Sequence, residues 1–431
     1  MVIPNDIQRV LLQAYVSLRG KVMNIRQYMK LKKESAEETE NNTMTEDINK
    51  EYAQRLKKHR TTIALGTIIL VIILLAGGAA FYSYSISMQY DGVQIVKSVD
   101  RADAETAQYV PYAQGMLKYS NDGAAYIGAD LSEKWNQTYQ MQEPVYAICE
   151  SAVALADKNG TEIYILNGSG LQAEINTLLP IKKLAVSAQG LTAASLEDSG
   201  KGWVKIYSPT MPDTVLAETK ILMEESGYPV AMCLSNDGIK FGISHLSVEG
   251  GESKSTLAFH NLGSVGENEI DNFVGSTSYV GTVFPVFEYI NSDTAVAYGT
   301  DRIEVFTGRQ IPELAYEVVL EEEIVKIAHD SQHIGVMVKN TKDSGKYRLD
   351  IYDLKGKKIF SKGIDRDYTQ MQIANDMILL YNEGECCIYN MQGVLKFQKS
   401  LSKTILSMAI LEKNLYMVVT EDKIELIKLV R

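Results

Sequence analysis

Cysteine is scarce, with Cys149, Cys233, Cys386 and Cys387 the only four in 431 residues. That is too few to staple a chain of this size, and none stands in CxxC spacing. A disulfide scaffold, a thiol-redox centre and a zinc ribbon are therefore unsupported. Cys386 and Cys387 are neighbours, and on a strand they point to opposite faces, so they do not pair with each other. All four read as small hydrophobes on strands. No GxSxG elbow occurs, which leaves nucleophilic hydrolysis without support. Nor is there an EF-hand loop of about 12 residues ending in Glu.

Cations are few across most of the chain. Residues 1–60 carry 12 Lys and Arg against 8 Asp and Glu, whereas residues 61–431 carry 31 against 46. An acidic large domain does not bind nucleic acid by counterion release, so no nucleic-acid partner is expected. The divide between the two regimes is Ile63 to Tyr82, IALGTIILVIILLAGGAAFY, 20 residues with no charge. At about 1.5 Å per residue it spans about 30 Å, the hydrocarbon thickness of a bilayer. A transmembrane helix is expected over 61–84.

Lys50, Arg55, Lys57, Lys58 and Arg60 precede this run, and only Lys97 and Arg101 lie in the 20 residues after it. The positive-inside rule then puts the N-terminus in the cytoplasm and the C-terminal domain outside, in the cell membrane as a single-pass protein. A cleaved signal peptide fits less well, because the run starts at residue 63 and exceeds an h-region of about 7–15 residues. Tyr82, Tyr84 and Tyr90 stand where an interfacial aromatic belt would. In the tail, apolar positions from Ile7 to Met29 recur at steps of three and four, so 6–30 reads as an amphipathic helix within a cytoplasmic segment 1–33. Its cations suit an anionic membrane surface, a cytoplasmic partner or self-association equally. Residues 34–47 read as a polar, acidic linker and 48–60 as a charged helical lead-in.

From residue 91 the period changes to short runs rich in Tyr, Val and Ile, bounded by Gly, Asn and Asp, and no long helical stripe remains. Glu313 to Lys326 reads either as a helix or as two strands around Glu321–Glu323. Apolar strand starts recur near Met116, Val145, Ile181, Val230, Pro285, Ile324, Met371 and Ile405. Residues 91–431 shared among eight units give about 43 each, the size of a four-stranded propeller blade. Ser120-Asn121-Asp122-Gly123 recurs as Ser235-Asn236-Asp237-Gly238, which reads as the turn between the first strands of a unit. Ile163-Tyr164, Ile351-Tyr352 and Ile388-Tyr389 are each followed by Gly five positions after the Ile, placing one strand and turn in three units. The fold class is all-β, an eight-bladed propeller over 91–431, with seven blades the alternative. The last unit, Ser402 to Arg431, has room for only three strands, so Gly92 to Val99 is expected to complete it. Ser244 to Ser255 and Gly263 to Gly281 are long excursions, the kind of loop through which propellers bind.

Two constellations were weighed for metal chemistry. Asp157 to Glu162 is oxygen-rich, but Asn159-Gly160 is a favoured hairpin turn. His329 and His333 have zinc-pair spacing only on a helix, whereas here they flank a strand-to-strand turn. No catalytic, cofactor-binding or metal residue is assigned and no cofactor is expected.

Val110-Pro111-Tyr112, Trp135-Asn136-Gln137-Thr138-Tyr139, Leu179-Pro180-Ile181, Val186-Ser187-Ala188-Gln189-Gly190, Asn261-Leu262-Gly263-Ser264-Val265-Gly266 and Lys346-Tyr347-Arg348-Leu349 resemble an uncharacterised family of Gram-positive bacterial single-pass membrane proteins. The likeness covers roughly residues 60–431. It implies an extracytoplasmic propeller of PQQ-like or WD40-like type and carries no activity. Quinoprotein enzymes repeat a tryptophan docking motif in most blades, and this chain has only Trp135 and Trp203.

The expected function is a non-enzymatic binding, scaffold or sensor module of the cell envelope. It would contact an envelope protein, a peptide or a wall glycan through the propeller. An extracytoplasmic enzyme is the alternative, and a carboxylate or histidine cluster at the channel mouth would favour it. Proximity labelling from each terminus in living cells tests the topology. An N-terminal labelling enzyme should mark cytoplasmic proteins and a C-terminal one envelope proteins; cytoplasmic proteins marked from both ends contradict it.

Overall fold

A computed structural model of the chain describes residues 42–103, 106–341, 345–400 and 403–431. It divides into two compact units, Met1–Ser85 and Ile86–Arg431. The amphipathic helix expected over 6–30 lies outside the described residues.

In the first unit one helix, α1 (Asn42–Ser87), runs without a break for 46 residues. It takes in the charged lead-in and also residues 42–47, which read as linker in the sequence. Adding a residue to a helix already formed fixes one residue per hydrogen bond, so helix propagates into polar sequence that could not nucleate it. An ion pair of Arg55 with Glu51, one turn apart at 2.6 Å, supports that end. The helical stretch Lys50–Tyr84 contains a run apolar and long enough to cross a membrane, and its large side chains, such as Leu75 and Ile73, are exposed.

In the second unit the described residues form eight four-stranded antiparallel sheets. The first strand in the chain is β1 (Gly92–Asp100). Blade 1 is β2 (Gln108–Tyr112), β3 (Gly115–Ser120), β4 (Gly123–Gly128) and β5 (Glu133–Thr138). Blade 2 is β6 (Pro144–Cys149), β7 (Ala152–Asp157), β8 (Glu162–Asn167) and β9 (Gly170–Asn176). Blade 3 is β10 (Ile181–Val186), β11 (Thr192–Asp198), β12 (Lys201–Ser208) and β13 (Met211–Leu222). Blade 4 is β14 (Tyr228–Leu234), β15 (Lys240–Glu249), β16 (Glu252–Asn261) and β17 (Phe273–Val280). Blade 5 is β18 (Val286–Tyr289), β19 (Thr294–Tyr298), β20 (Arg302–Thr307) and β21 (Glu313–Val319). Blade 6 is β22 (Ile324–His329), β23 (His333–Lys339), β24 (Tyr347–Asp353) and β25 (Lys358–Ile364). Blade 7 is β26 (Gln370–Ala374), β27 (Met377–Tyr381), β28 (Glu385–Asn390) and β29 (Leu395–Ser400). Blade 8 is β30 (Ile405–Glu412), β31 (Leu415–Thr420), β32 (Lys423–Val430) and, as its outer strand, β1.

The closing strand is thus the one expected at 92–99. It pairs antiparallel with β32 from Gly92↔Val430 to Asp100↔Lys423. The inner strand of blade 1, β2, packs on that of blade 8, β30, and completes the ring. Eight hydrophobic clusters lie between successive blades. The middle strands feed two clusters at once. On β27, Met377, Leu379 and Tyr381 face blade 8, and Ile378 and Leu380 face blade 6. A strand buried on both faces is a continuous apolar run, which is why these strands stand out in the sequence.

The Ile-Tyr echoes all fall on third strands, β8, β24 and β28, as expected, with the Gly in the turn that follows. Two expectations need correcting. Met116 lies on the second strand of blade 1; the first is β2, whose Gln108 and Pro111 hide it because an inner strand of a ring is only partly covered. The two Ser-Asn-Asp-Gly turns are not equivalent, since the first joins β3 to β4 and the second precedes β15. Ser and Asp side chains close any tight connection by accepting a backbone N–H, as Ser120 Oγ does from Asp122 and Asp237 Oδ1 from Ile239, so the recurrence does not mark a position in the repeat. Glu313 to Lys326 is two strands, β21 and β22. Ser244 to Ser255 is the extended β15–β16 hairpin, and Gly263 to Gly281 contains all of β17.

Close backbone approach gives a stability test. A Cβ at Gly115 would sit 2.0 Å from the Ile127 carbonyl oxygen, whereas one at Gly168 meets nothing within 4 Å. Gly115→Ala should cost about 3 kcal/mol in denaturant unfolding and Gly168→Ala under about 0.5. Equal effects would contradict this packing.

Candidate functional site

Because every blade is an antiparallel meander, all first-to-second turns lie on one face of the ring. Five of these eight turns carry a carboxylate, Glu150, Asp237, Asp293, Asp330 and Asp376, and Glu412 adds a sixth at the end of β30, just before the Lys413-Asn414 turn. Hydrogen bonds between blades hold the turns in place. Tyr112 Oη donates to the Ser151 carbonyl at 2.5 Å, and the Ala188 N–H to that of Asn236 at 3.0 Å. Asn236 Nδ2 donates to Glu150 Oε1 at 3.3 Å, Asn291 Nδ2 to the Ser331 carbonyl at 3.2 Å, and Asn375 Nδ2 to that of Leu411 at 2.9 Å. Local capping fixes individual carboxylates. Asp330 Oδ1 accepts the N–H groups of Gln332 and His333 at 2.8 and 2.7 Å.

Between the turns of blades 6, 7 and 8 lies an open cavity of about 510 Å³, lined by Asp330, His333, Asn375, Asp376, Glu412 and Lys413. Lys413 Nζ reaches Asp376 Oδ2 at 2.6 Å and holds that carboxyl below its usual range. On the inner strands of blades 5 and 6, His329 Nε2 stands 3.1 Å from Glu288 Oε2, and His329 Nδ1 is buried without a partner. This is a histidine–carboxylate pair where the channel opens to the turn face.

Charge also lies between the blades. The third strands of blades 5 and 6 share a pattern, Arg302-Ile303-Glu304-Val305-Phe306 and Arg348-Leu349-Asp350-Ile351-Tyr352, with the acidic residue fully buried in both. Asp350 is well satisfied. Burial alone would raise its carboxyl, but Ser361 Oγ (2.6 Å), Lys358 Nζ (3.0 Å) and Arg348 Nε (3.0 Å) outweigh that and hold it below its usual range. Arg348 also forks onto Glu322 at 3.0 and 3.1 Å, beside an open cavity of about 630 Å³.

Glu304 is poorly satisfied. Neither oxygen has a well-formed hydrogen bond, the Tyr279 hydroxyl is its nearest donor, and Arg302 Nη1 is 3.9 Å away, shared with Asp301 and Glu317. Burial first, then Glu317, pushes its carboxyl up to about 7.

The constellations weighed from sequence fall apart in space. Asp157 Oδ1 is taken up by the N–H groups of Gln142 and Glu143 at 3.0 and 2.8 Å, and Asn159 sits at φ 69° in a hairpin turn. His329 and His333 engage different carboxylates, Glu288 and Asp330. Trp135 and Trp203 occupy non-equivalent strands, β5 and β12. The four cysteines are free, with Cys386 and Cys387 in clusters on opposite faces of β28. Among the described residues no three His, Cys, Asp or Glu side chains gather as a metal-ligand set. Sequence reading missed the buried carboxylates; the repeated Arg-apolar-acid-apolar-aromatic pattern was the available signal.

Glu304 makes stability depend on pH. Its folded value lies above its unfolded value of about 4.5, so its contribution is intact below pH 4.5 and is lost as pH rises through about 7. Glu304→Gln should flatten that slope, so that the variant loses less stability than wild type between pH 4.5 and 8. Parallel pH profiles in thermal unfolding would contradict it.

No curated protein matches the chain. Among solved structures, Sqt1 of Saccharomyces cerevisiae is similar with a TM-score of 0.50 at 10% identity, covering 80% of this chain and 100% of that one. BamB of Moraxella catarrhalis gives 0.48 at 11%, covering 78% and 100%. Hsv2 of Kluyveromyces lactis gives 0.46 at 11%, covering 68% and 99%. At such identities a likeness concerns the fold alone. Sequence similarity reaches further: over residues 86–429 the chain matches DUF5711, a family of unknown function, and it belongs to that family.

Proposed function

We propose that this protein is a membrane-anchored, extracytoplasmic binding module of the cell envelope, without enzymatic activity, whose acidic turn face takes a basic segment of an envelope protein or peptide. The observation that carries the reading is the set of six carboxylates on or beside first-to-second turns around one face, where hydrogen bonds between blades hold the turns. A rigid surface with an excess of one charge sign, here six carboxylates of which Asp237, Asp293 and Asp376 pair with Lys240, Arg309 and Lys413, attracts and orients an oppositely charged partner, chiefly through the association rate. Residues 61–84 of α1 form the membrane span in this reading. The cluster Lys57 to Arg60 keeps the N-terminus in the cytoplasm of a Gram-positive cell. The tail 1–33 then contacts the inner membrane surface, a cytoplasmic partner or a second tail.

Full-length protein in nanodiscs, titrated with an oligolysine peptide, tests the face. Binding should weaken steeply with salt, since charges more than about 10 Å apart are screened at 0.1 M. The isosteric triple variant Glu150→Gln, Asp376→Asn, Glu412→Gln should bind about tenfold more weakly. Unchanged affinity in the variant would count against the reading.

The alternative, an extracytoplasmic enzyme, is favoured by one observation, the Glu288–His329 pair at the channel opening. Such a pair has the form of a general base, with no nucleophile beside it named by the sequence. Turnover of a chromogenic ester, phosphoester or glycoside that disappears in His329→Asn would establish it; no turnover by wild type would remove it.

A further inference from the structure

Every blade ends in an outer strand with one edge unpaired, and such edges are templates for further pairing unless blunted by charge or proline. Seven of the eight outer strands carry at least one charged side chain, from Lys134 on β5 and Glu174 on β9 to Lys399 on β29 and Lys97 on β1. The exception is β17 of blade 4, Phe273-Val274-Gly275-Ser276-Thr277-Ser278-Tyr279-Val280, with neither charge nor proline. It pairs with β16 alone, and its other edge is open.

We infer that β17 is a self-association edge, on which a second copy of this chain adds its own β17 in antiparallel register across a two-fold axis through Thr277. Directly opposed residues of an antiparallel pair lie on the same face of the sheet, so a two-fold axis must pass through a residue rather than between two. Centred on Thr277, the strand is complementary to itself. Thr277 faces its own copy, Ser276 faces Ser278, and Gly275 faces Tyr279. Hydroxyl pairs of this kind stabilise cross-strand contacts, and Ser278 already makes one inside the blade, with Thr256 Oγ1 at 2.9 Å.

Gly275 leaves the edge open, since a Cβ there meets nothing within 4 Å, while Tyr279 stays packed on its own chain, its ring 4.9 Å from that of Phe284 and 5.8 Å from the Arg302 guanidinium. Gly275, Thr277 and Tyr279 pair with Phe259, Leu257 and Ser255, so the three share one face of the blade. At each end Val280, 62% exposed, comes opposite Val274 of the copy. No charge on the strand opposes its own image, and the absence of gatekeeping residues at this edge alone is then explained. This surface is independent of the acidic turn face.

Disulfide trapping of the full-length protein in nanodiscs or detergent tests it. Opposed Cα atoms in an antiparallel pair are about 4.5–5.5 Å apart, within disulfide reach. Thr277→Cys should therefore give a covalent dimer on mild oxidation, well above the wild-type background. Ser278→Cys should not, since its two copies lie about 8 Å apart in this register. Adding Ser276→Lys to Thr277→Cys should abolish the cross-link, whereas the same lysine at Asn136 on β5 should leave it intact. Salt should raise the yield by screening copies of net charge -11, the reverse of its effect on a basic peptide at the turn face. Three results would overturn the proposal: no cross-link above wild type, equal cross-linking at Thr277 and Ser278, or a cross-link that survives Ser276→Lys.

Discussion

Ring closure by β1 is the constraint on which the rest of the propeller depends. Blade 8 draws only three strands from the C-terminal end of the chain, and its fourth comes from residues 92–100, before blade 1 begins. The pairing joins the two ends of the domain through one sheet. Since each hydrophobic cluster lies between two blades, no blade owns a complete core. Opening the ring at blade 8 would expose Val93 on one side and Val99 on the other, at clusters shared with blades 7 and 1. The eight interfaces therefore hold together or not at all, which is how short sheets of modest size make a rigid domain.

Rigidity gives the charges their meaning. A carboxylate on a mobile loop is a solvated charge, whereas Asp330 is capped by two backbone N–H groups, and Glu150 and the Ser331 carbonyl each receive a side-chain amide from another blade. The turn face is thus a fixed pattern of negative charge. The interior contrasts two ways of burying the same kind of group at equivalent positions. Asp350 is surrounded by three donors and is held below its usual range, while Glu304 has only the Tyr279 hydroxyl, poorly aligned, and is shifted toward neutrality.

Much of the fold was legible because the strands buried on both faces write continuous apolar runs. Ala152 to Ala156 and Met377 to Tyr381 could hardly be anything else. The closing strand was legible from counting, since Ser402 to Arg431 cannot hold four strands. What failed was position within the repeat. Tight turns reuse Ser, Asn and Asp wherever a side chain can accept a backbone N–H, so Asn121 and Asn236 looked equivalent and are not. Inner strands such as β2 are only partly covered, so Gln108 and Pro111 concealed one. The candidate site was less legible. A turn aspartate reads as turn chemistry until eight turns are seen on one face, and the burial of Glu304 is a product of blade 4 packing against blade 5, far from it in sequence. The pairing of Glu288 with His329 is likewise a contact between inner strands of different blades.

The most direct measurement of the central claim is native-state hydrogen exchange on the full chain, resolved along residues 86–431. If β1 closes a cooperative ring, amides on β1 and β32 exchange with the same free energy as those of the middle strands β7, β19 and β27, through one global opening. Exchange of β1 by local fraying, while β7, β19 and β27 remain fully protected, would show that the ring is held elsewhere.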